Sequence, residues 1–353
     1  MKKFLLIIFC CGMAFKASAM KVDTSLLHEM LETLNAEYLY EIDKPQLIAD
    51  GLQILADFDK QFTVSKGTNR IYIYHRGKIA AVLPFPHNLE DMAAWSAGVD
   101  DILQTAAKVS ENIALHDYEL PDLMLKKMAQ SLDKYSHYYS QYDYAENKEH
   151  SFFHSTFSER LLDDVIYLRV GIFNKQTARQ IKRALQENRQ AKGVILDLRG
   201  NSGGILNEAL KTADFFTESE IITQTAGRAG KNKHYYTSSE ECIFDKPLVI
   251  LVDGNTASAA EVLAAGLQEQ SRAKIVGTCT FGKGTIQNVF QMKNGGKLVL
   301  TGEQFFTPSG KVIHEKGVMP DICTEYDMHD VCAPQPRAGK DEDISTALEL
   351  LEK

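Results

Sequence analysis

PLVILVDGNTASAAEVLAAGLQEQSRAKIVGTCTFGKGTIQ, residues 247–287, is the stretch from which the fold is inferred. Its first six residues form an apolar, β-branched run that is typical of a strand buried on both faces. A polar turn follows, and from Ala257 to about Gln270 the residues are strong helix formers. Ala273–Gly277 is a second β-like run. The stretch therefore predicts a strand, a helix and a second strand in succession.

Two residues of this stretch have chemical potential. Ser258 stands at the corner between strand and helix, where the positive end of the helix favours a developing oxyanion. Lys283 stands between two glycines, and a neutral lysine can activate a serine hydroxyl as its base. Burial would favour the neutral form, and its neighbours Cys279, Phe281 and Ile286 are compatible with burial. A capping serine and a surface lysine explain these residues equally well.

Gln287 is a third candidate, because it follows Lys283 by four residues. If the segment turns helically, residues four apart lie on the same side. The Gln287 amide could then hydrogen-bond the Lys283 amine and orient it.

A diglycine turn closes the segment VILDLRGNSGG, residues 194–204. Gly203 and Gly204 allow backbone N–H groups to point into open space at a helix N-terminus, which predicts an oxyanion hole. The same turn matches the G-x-S-x-G pattern of α/β-hydrolases, so Ser202 is an alternative nucleophile. That alternative needs an acid and a histidine downstream, for which Asp253 or Asp321 and then His329 are available.

The chain around these motifs alternates between strands and helices. From Val165 to about Gly277 the alternation predicts an α/β unit with a mostly parallel, covered sheet, including a strand at Ile221–Thr223. Gly227–Cys242 interrupts it as a hairpin or loop, and a second hairpin spans Val289–Leu300. We expect Ser309 to be a turn serine, and Ile344–Leu351 to form a closing amphipathic helix.

The N-terminal half has a different pattern, with mainly helical apolar spacing. Helices are expected within Val22–Asp59, Met92–Ala114 and Leu120–Leu132, and a hairpin over Arg70–Pro84. Nothing in this part combines an acid, a base and a nucleophile. It therefore predicts a scaffold or substrate-guiding domain.

A polar segment, Tyr135–His150, is expected to link the two parts of the chain. It contains His137 and His150, and His154 follows soon after. We interpret these histidines as solvated or hydrogen-bonded side chains rather than as metal ligands.

Residues 1–19 have the pattern of a signal peptide: two lysines, an apolar run too short to span a bilayer, and Ala17-Ser18-Ala19 as the cleavage signal. We therefore expect an exported protein, located in the periplasm, with secretion as the alternative. The formal charge of −8 becomes about −11 once the three lysines of this segment are removed. Such an acidic chain argues against nucleic acid or an anionic membrane surface as the main partner.

Four cysteines remain beyond the signal peptide, an even number that permits disulfides in an exported protein. Cys323 and Cys332 are close enough in sequence for a local bridge, which we expect. Pairing of Cys242 with Cys279 is left open. No CxxC spacing is present, so metal binding by these residues is not expected.

In order and spacing, the motifs VILDLRGNSGG, GNTASAAE, TFGKGTIQ and TPSGKVIHEKGVMPDI resemble those of the C-terminal processing proteases, serine peptidases of family S41. The resemblance covers roughly residues 155–325, and DISTALELL is similar to the last helix of that family. It implies a ClpP/crotonase-like core, with Ser258 as nucleophile, Lys283 as base and Gln287 as its orienting partner. It also implies an oxyanion hole formed by the N–H groups of Gly203 and Ala259, while the choice between Gly203 and Gly204 stays open.

One departure from the family is expected. Leu132–Tyr138 (LDKYSHY) resembles the L-D-x-x-S-x-Y element that ends the family's N-terminal helical part. In the family a PDZ domain usually follows, but the core here begins at Val165, too soon for a domain of about 50 residues. The usual means of capturing a substrate's C-terminal carboxylate is therefore predicted to be absent.

The sequence as a whole predicts a signal peptide (1–19), a helical scaffold domain with a hairpin (20–150), an α/β protease core (151–330) and a C-terminal tail with a helix (331–353). The expected function is an exported serine endopeptidase that needs no metal or cofactor and acts on a protein or peptide substrate. The alternatives are a non-catalytic peptide- or ligand-binding protein, a hydrolase using Ser202, and a scaffold that recruits a partner. An adaptor protein or a second copy of the chain is left open as a further partner.

Overall fold

The computed structural model describes residues 25–146, 157–162, 164–218, 220–237, 242–324, 332 and 342–352. The predicted signal peptide, and the candidates His150, His154 and His329, lie outside the described residues.

The N-terminal unit is mainly helical, as predicted. Its elements are α1 (Ser25–Glu37), α2 (Lys44–Leu52), α3 (Ile54–Phe58), β1 (Phe62–Lys66), β2 (Arg70–His75), β3 (Lys78–Pro84), α4 (Met92–Val109), α5 (Glu111–Leu115) and α6 (Leu120–Leu132). Leucines and methionines of the helices enclose Trp95, which is fully buried.

The expected hairpin is present as β2 and β3, but β1 adds a third antiparallel strand, with Phe62 opposite His75. No sequence pattern predicted β1. Only Phe62 and Val64 are apolar in this strand, so its alternation is too short to separate it from a loop.

The segment after α6 is more than a link, which corrects the sequence prediction. It forms β4 (His137–Tyr139) and α7 (Gln141–Glu146), and β4 pairs antiparallel with a strand of the C-terminal half. Tyr138 is buried, and its hydroxyl contacts Asp122 and accepts a hydrogen bond from Asn294 at 2.7 Å. A pairing partner some 160 residues away is invisible to a local pattern. Whether a PDZ domain is absent stays a prediction.

The C-terminal half contains ten strands and four helices among the described residues. They are β5 (Phe157–Leu162), β6 (Val165–Val170), α8 (Thr177–Glu187), β7 (Gly193–Asp197), α9 (Leu206–Asp214), β8 (Ile221–Ala226), β9 (His234–Thr237), β10 (Leu248–Val252), α10 (Ala259–Glu269), β11 (Ala273–Gly277), β12 (Thr285–Gln291), β13 (Lys297–Phe306), β14 (Ile322–Cys323) and α11 (Glu342–Leu351).

The larger sheet has the strand order β14-β11-β10-β7-β6-β5, and all its neighbouring strands are parallel except β5 and β6. Every residue of β7 and β10 is buried. Residues of α8, α9 and α10 cover one face, and α11 packs on the other. A covered sheet of this kind explains the continuous apolar runs of the sequence, and the predicted closing helix is confirmed.

The second sheet is antiparallel, with the order β12-β13-β8-β9 and β4 beside β13. The two hairpins predicted in the C-terminal half belong to this sheet. The expectation that Ile221–Thr223 continues the parallel sheet was wrong, because β8 turns back into β9 and pairs with β13. Leu298 and Leu300 of β13 pack into the core of the N-terminal unit, so this sheet connects the two halves.

The predicted Cys323–Cys332 disulfide is confirmed, with 5.4 Å between the Cα atoms. Cys242 and Cys279 are not disulfide-bonded. Within the described ranges, no helix combines the length and apolarity that crossing a bilayer requires.

Candidate active site

Ser258 occupies the turn between β10 and α10, immediately before the first residue of the helix. Its backbone is at φ 56° and ψ −121°, a conformation that a residue with a side chain rarely adopts. Such strain is costly, about 1 to 3 kcal/mol, and is concentrated at functional sites. Ala259 follows as the first helical residue, so its N–H group has no acceptor within the helix.

Gly203 lies directly against this turn. A Cβ atom on Gly203 would be 2.8 Å from Ser258 Cβ and 2.9 Å from the Ala257 carbonyl oxygen, and its φ is +104°. Both the space and the backbone conformation therefore require glycine. The structure brings together Gly203, Ser258 and Ala259, as the sequence predicts.

Asn201 holds the diglycine turn in place, and the sequence analysis missed it. This side chain is fully buried; its Oδ1 accepts the Gly203 N–H at 2.8 Å and its Nδ2 donates to the Val170 carbonyl at 2.8 Å. Its backbone carbonyl accepts the Ala257 N–H at 2.8 Å. In this conformation the Gly203 N–H is engaged, so an oxyanion would have to compete with Asn201 for it.

A buried carboxylate joins the serine and lysine segments. Glu261 accepts the N–H groups of Ser258 and Lys283, both at 2.8 Å, and of Gly282 at 2.7 Å. The Thr280 hydroxyl also donates to it, at 2.5 Å. Burial raises the pKa of Glu261 above its ordinary value, and these hydrogen bonds oppose the shift. A glutamate three residues after a capping serine is a capping-box signal, so Glu261 could have been identified from the sequence.

The Lys283 amine lies over an aromatic ring, 5.1 Å from the centre of Tyr135. In the described part of the chain no hydrogen bond joins this amine to Ser258. Lys283 is half-buried, whereas Phe281, expected to help bury it, is 53% exposed. The apolar enclosure that the sequence suggested is therefore only partial.

Gln287 lies on β12, so the expected helical turn was wrong. Its Nε2 donates to the hydroxyls of Thr285 at 3.0 Å and Thr301 at 3.3 Å, rather than to Lys283. The pairing with β13 also shifts register between Ile286 and Gln287. The structure brings Gln287 close to the lysine segment but forms no bond between the two side chains.

The alternative serines lack a triad among the described residues. Ser202 is exposed, and Asp253 accepts the Gly200 N–H at 2.9 Å and the Thr256 hydroxyl at 3.1 Å. Asp321 pairs with Lys274 at 3.1 Å. Ser309 is a turn residue, as expected, and its hydroxyl donates to Glu269 at 2.8 Å. Both aspartates serve the local structure.

No group of three or more histidine, cysteine or acidic residues suited to a metal ion occurs in the ranges that the structure describes.

Residues 164–324 match the model of Peptidase family S41. Over 187 residues the chain is 36% identical to the carboxyl-terminal-processing protease of Synechocystis sp.. The match covers 52% of this chain and 43% of that protein. The chain spans less than half the length of the first curated relatives it matches.

Among solved structures, a photosystem II D1 C-terminal processing protease is 30% identical, with a TM-score of 0.45, over 50% of this chain and 51% of that one. A lipoprotein from Streptococcus agalactiae is 16% identical with a TM-score of 0.50, and the match covers 89% of this chain and 98% of that one. This second likeness concerns the fold alone. The segment that contains the diglycine turn, the serine corner and the lysine loop, residues 164–324, belongs to peptidase family S41.

Proposed function

We propose that this chain is an exported serine endopeptidase that cleaves unfolded protein substrates. Ser258 is the nucleophile, Lys283 the general base and Gln287 the residue that orients the base. The N–H groups of Ala259 and of the diglycine turn form the oxyanion hole. The assignment of the core to a ClpP/crotonase-like fold is part of the same proposal.

One observation carries this proposal. Glu261 binds the backbone of Ser258 and of Lys283 through one buried carboxylate, while Gly203 lies so close that a Cβ atom on it would be 2.8 Å from Ser258 Cβ. A strained serine, a helix N-terminus, a glycine turn and a lysine loop are thereby held at one place. This combination supplies a nucleophile, oxyanion donors and a base, which acyl transfer requires.

The chemistry proceeds in two halves. The neutral Lys283 amine takes the Ser258 hydroxyl proton, and the resulting alkoxide attacks the peptide carbonyl carbon. The oxyanion of the tetrahedral intermediate is stabilised by the Ala259 N–H, which has no acceptor within the helix, at the positive end of α10. The intermediate collapses as the C–N bond breaks, Lys283 returns the proton to the leaving amine, and an ester on Ser258 remains. Water activated by Lys283 then hydrolyses that ester.

Export is supported by two independent features. Residues 1–19 have the composition of a signal peptide. The Cys323–Cys332 bond is of the kind that persists in oxidising compartments such as the periplasm. The names of the relatives describe processing at carboxyl termini; for this chain we propose only that peptide bonds are hydrolysed.

The proposal is tested with purified protein on an unfolded substrate such as reduced casein. We expect Ser258→Ala and Lys283→Ala to abolish cleavage, and Ser202→Ala to keep the wild-type rate. Retained cleavage in the first two variants with loss in the third would instead assign the hydrolase mechanism to Ser202.

A second candidate function is supported by the position of the lysine. Because the Lys283 amine lies on Tyr135 and is not bonded to Ser258, a protein that binds peptides without cleaving them fits the same geometry. A serine-reactive acylating probe separates the two functions. Labelling that is lost in Ser258→Ala supports the peptidase, whereas peptide binding without labelling supports the binding protein.

A further inference from the structure

Tyr135 is the aromatic residue that contacts the Lys283 amine, at 5.1 Å from its ring centre. The ring also lies 6.2 Å from the ring of His314. An aromatic face attracts a cation, so this contact retains the amine on the ring. A general base must be uncharged and within hydrogen-bond reach of its hydroxyl. The observed contact opposes the second requirement, because it places the amine on the ring.

Tyr135 belongs to the loop between α6 and β4, where the N-terminal unit meets the second sheet. Asp133 fixes this loop by accepting the N–H groups of Tyr135 at 2.7 Å and Ser136 at 3.0 Å. The hydroxyls of Ser136, Tyr38 and Thr301 donate to the same carboxylate. These hydrogen bonds outweigh burial, so the pKa of Asp133 lies below its ordinary value.

The hydrogen bonds around Asp133 also reach Gln287, the residue proposed to orient the lysine. Thr301, which donates to Asp133 at 3.2 Å, accepts the Gln287 amide at 3.3 Å. The position of Tyr135 on Lys283 and the position of Gln287 are therefore set by one hydrogen-bonded group, which joins the N-terminal unit to β13.

The environment of Tyr135 contains one feature that stabilises its position, the contact with Lys283, and one that destabilises it, an unpaired hydroxyl. Among the described residues its hydroxyl is buried without a hydrogen-bond partner, and so is His314 Nδ1. Burying a polar group without a partner is unfavourable. The ring contact stabilises the observed arrangement, and the unpaired hydroxyl destabilises it.

We propose that Tyr135 is a latch on Lys283: its ring holds the amine away from Ser258 in a resting conformation, and displacement of the ring releases the lysine to act as base. The latch rests on the proposed function, because it regulates that same site.

The test measures the reactivity of the lysine separately from proteolysis. Wild type and variants are treated with a limiting amount of an acetylating reagent, and acetylation of Lys283 is followed over time by peptide mass spectrometry. Tyr135→Ala and Tyr135→Leu remove the aromatic face, so Lys283 is expected to react roughly threefold to tenfold faster. Tyr135→Phe keeps the face and removes the unpaired hydroxyl, so it is expected to react about twofold slower than wild type.

Casein cleavage is measured on the same samples and should change in the same directions. Tyr135→Leu keeps apolar volume in case Tyr135→Ala does not fold. Tyr235→Ala is the matched control, because it removes the ring of another cation–π pair, with Lys233 at 4.9 Å, and should leave Lys283 reactivity unchanged.

Equal Lys283 acetylation rates in wild type, Tyr135→Leu and Tyr235→Ala would overturn the latch. A slower rate in Tyr135→Leu would also overturn it and make Tyr135 a residue that exposes the amine. If Lys283 of Tyr135→Leu is acetylated faster than that of wild type, but neither wild type nor any variant cleaves casein, the latch is supported and the proposed peptidase function is rejected. Failure of the latch and failure of the peptidase function are therefore distinguishable.

Discussion

The serine half of the site (Gly203, Ser258 and Ala259) and the lysine half (Lys283 and Gln287) are positioned by different means. In the serine half, backbone groups of the parallel-sheet unit contact one another directly, with Gly203 packed on Ser258 and Asn201 bonded to both loops. In the lysine half, the backbone of Lys283 is bound to Glu261, but its amine lies on a side chain of the N-terminal unit.

The difference indicates which half can adjust. Backbone contacts with no spare space allow one arrangement only, because packed interiors do not deform continuously. A side-chain amine on a ring is held by a weak attraction and can move without unfolding the loop that carries it. The serine half is therefore the fixed element, and the lysine half is the element open to regulation.

Gly203→Ala should have the largest effect, because it introduces a Cβ into the fixed half. The new atom would be 2.8 Å from Ser258 Cβ, at a φ of +104°. We expect cleavage to fall at least about 100-fold and the free energy of unfolding to fall by about 2 to 4 kcal/mol. Casein assays and urea denaturation measure the two effects.

Gly200→Ala is the matched control for this substitution. Gly200 is in the same turn at a φ of +72°, but no atom lies within 4 Å of its Cβ position. Its cost should be limited to the backbone, about 1 kcal/mol. Equal losses in the two variants would show that Gly203 matters only for its backbone conformation.

Glu261→Gln should have the next largest effect, because the Glu261 carboxylate joins the backbone of Ser258 to that of Lys283. Both carboxylate oxygens accept N–H groups of the site, so either orientation of the Gln amide places an NH₂ group against a donor. We expect cleavage to decrease about 10- to 100-fold and stability by about 1 to 3 kcal/mol.

Glu269→Gln serves as the comparison for Glu261→Gln, at the other end of α10, where the carboxylate accepts bonds from Ser309. This variant should keep its cleavage rate. If both variants cleave casein at the wild-type rate, Glu261 does not position the dyad.

Asp133→Asn should destabilise the lysine half in a pH-dependent manner. The pKa of Asp133 is below the ordinary 3.8, so its ionised form stabilises the folded protein above that pH. This stabilisation is lost as the pH falls through the lowered pKa. We expect the variant to be less stable by about 1 to 3 kcal/mol at pH 7.

The measurement is urea denaturation of both proteins between pH 7 and pH 3, where the difference should shrink below pH 3.8. Other carboxylates with lowered pKa values, such as Asp197, affect both proteins alike and cancel. A difference that stays constant across this range would contradict the role of the Asp133 charge.

Thr301→Val should have the smallest effect. It removes the hydroxyl between Gln287 and Asp133 but keeps the shape of a buried side chain. Gln287 retains its bond to Thr285, so we expect cleavage to stay within about threefold of wild type and stability to fall by about 1 kcal/mol. A loss as large as that of Gly203→Ala would show that the lysine half is as rigid as the serine half.

Much of the serine half could be predicted because its signals are local. An apolar run, a turn and a helix place Ser258 at a corner, and consecutive glycines mark a turn that no other residue can form. The spacing of Glu261 from Ser258 is also a local signal, that of a capping box, from which its role could have been predicted. Asn201 acts through contacts with Val170 and Ala257, which no sequence pattern around it reveals.

The lysine half depended on contacts between distant segments, and there the predictions failed. Gln287 was expected on a helical turn, whereas pairing with β13 makes its segment a strand. The segment containing Tyr135 was expected to be a link, whereas β4 pairs with the same β13. Residues that meet only after the two sheets form leave no local signal.

By itself the sequence determined the buried strands β6, β7, β10 and β11, the serine corner, the diglycine turn and the local disulfide, because each depends on neighbours within about ten residues. Only the tertiary structure decided where the Lys283 amine lies. That position is set by Tyr135, by the hydrogen bonds around Asp133 and by strand pairing between the two halves, and such pairing is specified by packing across the whole chain rather than by local conformational preference.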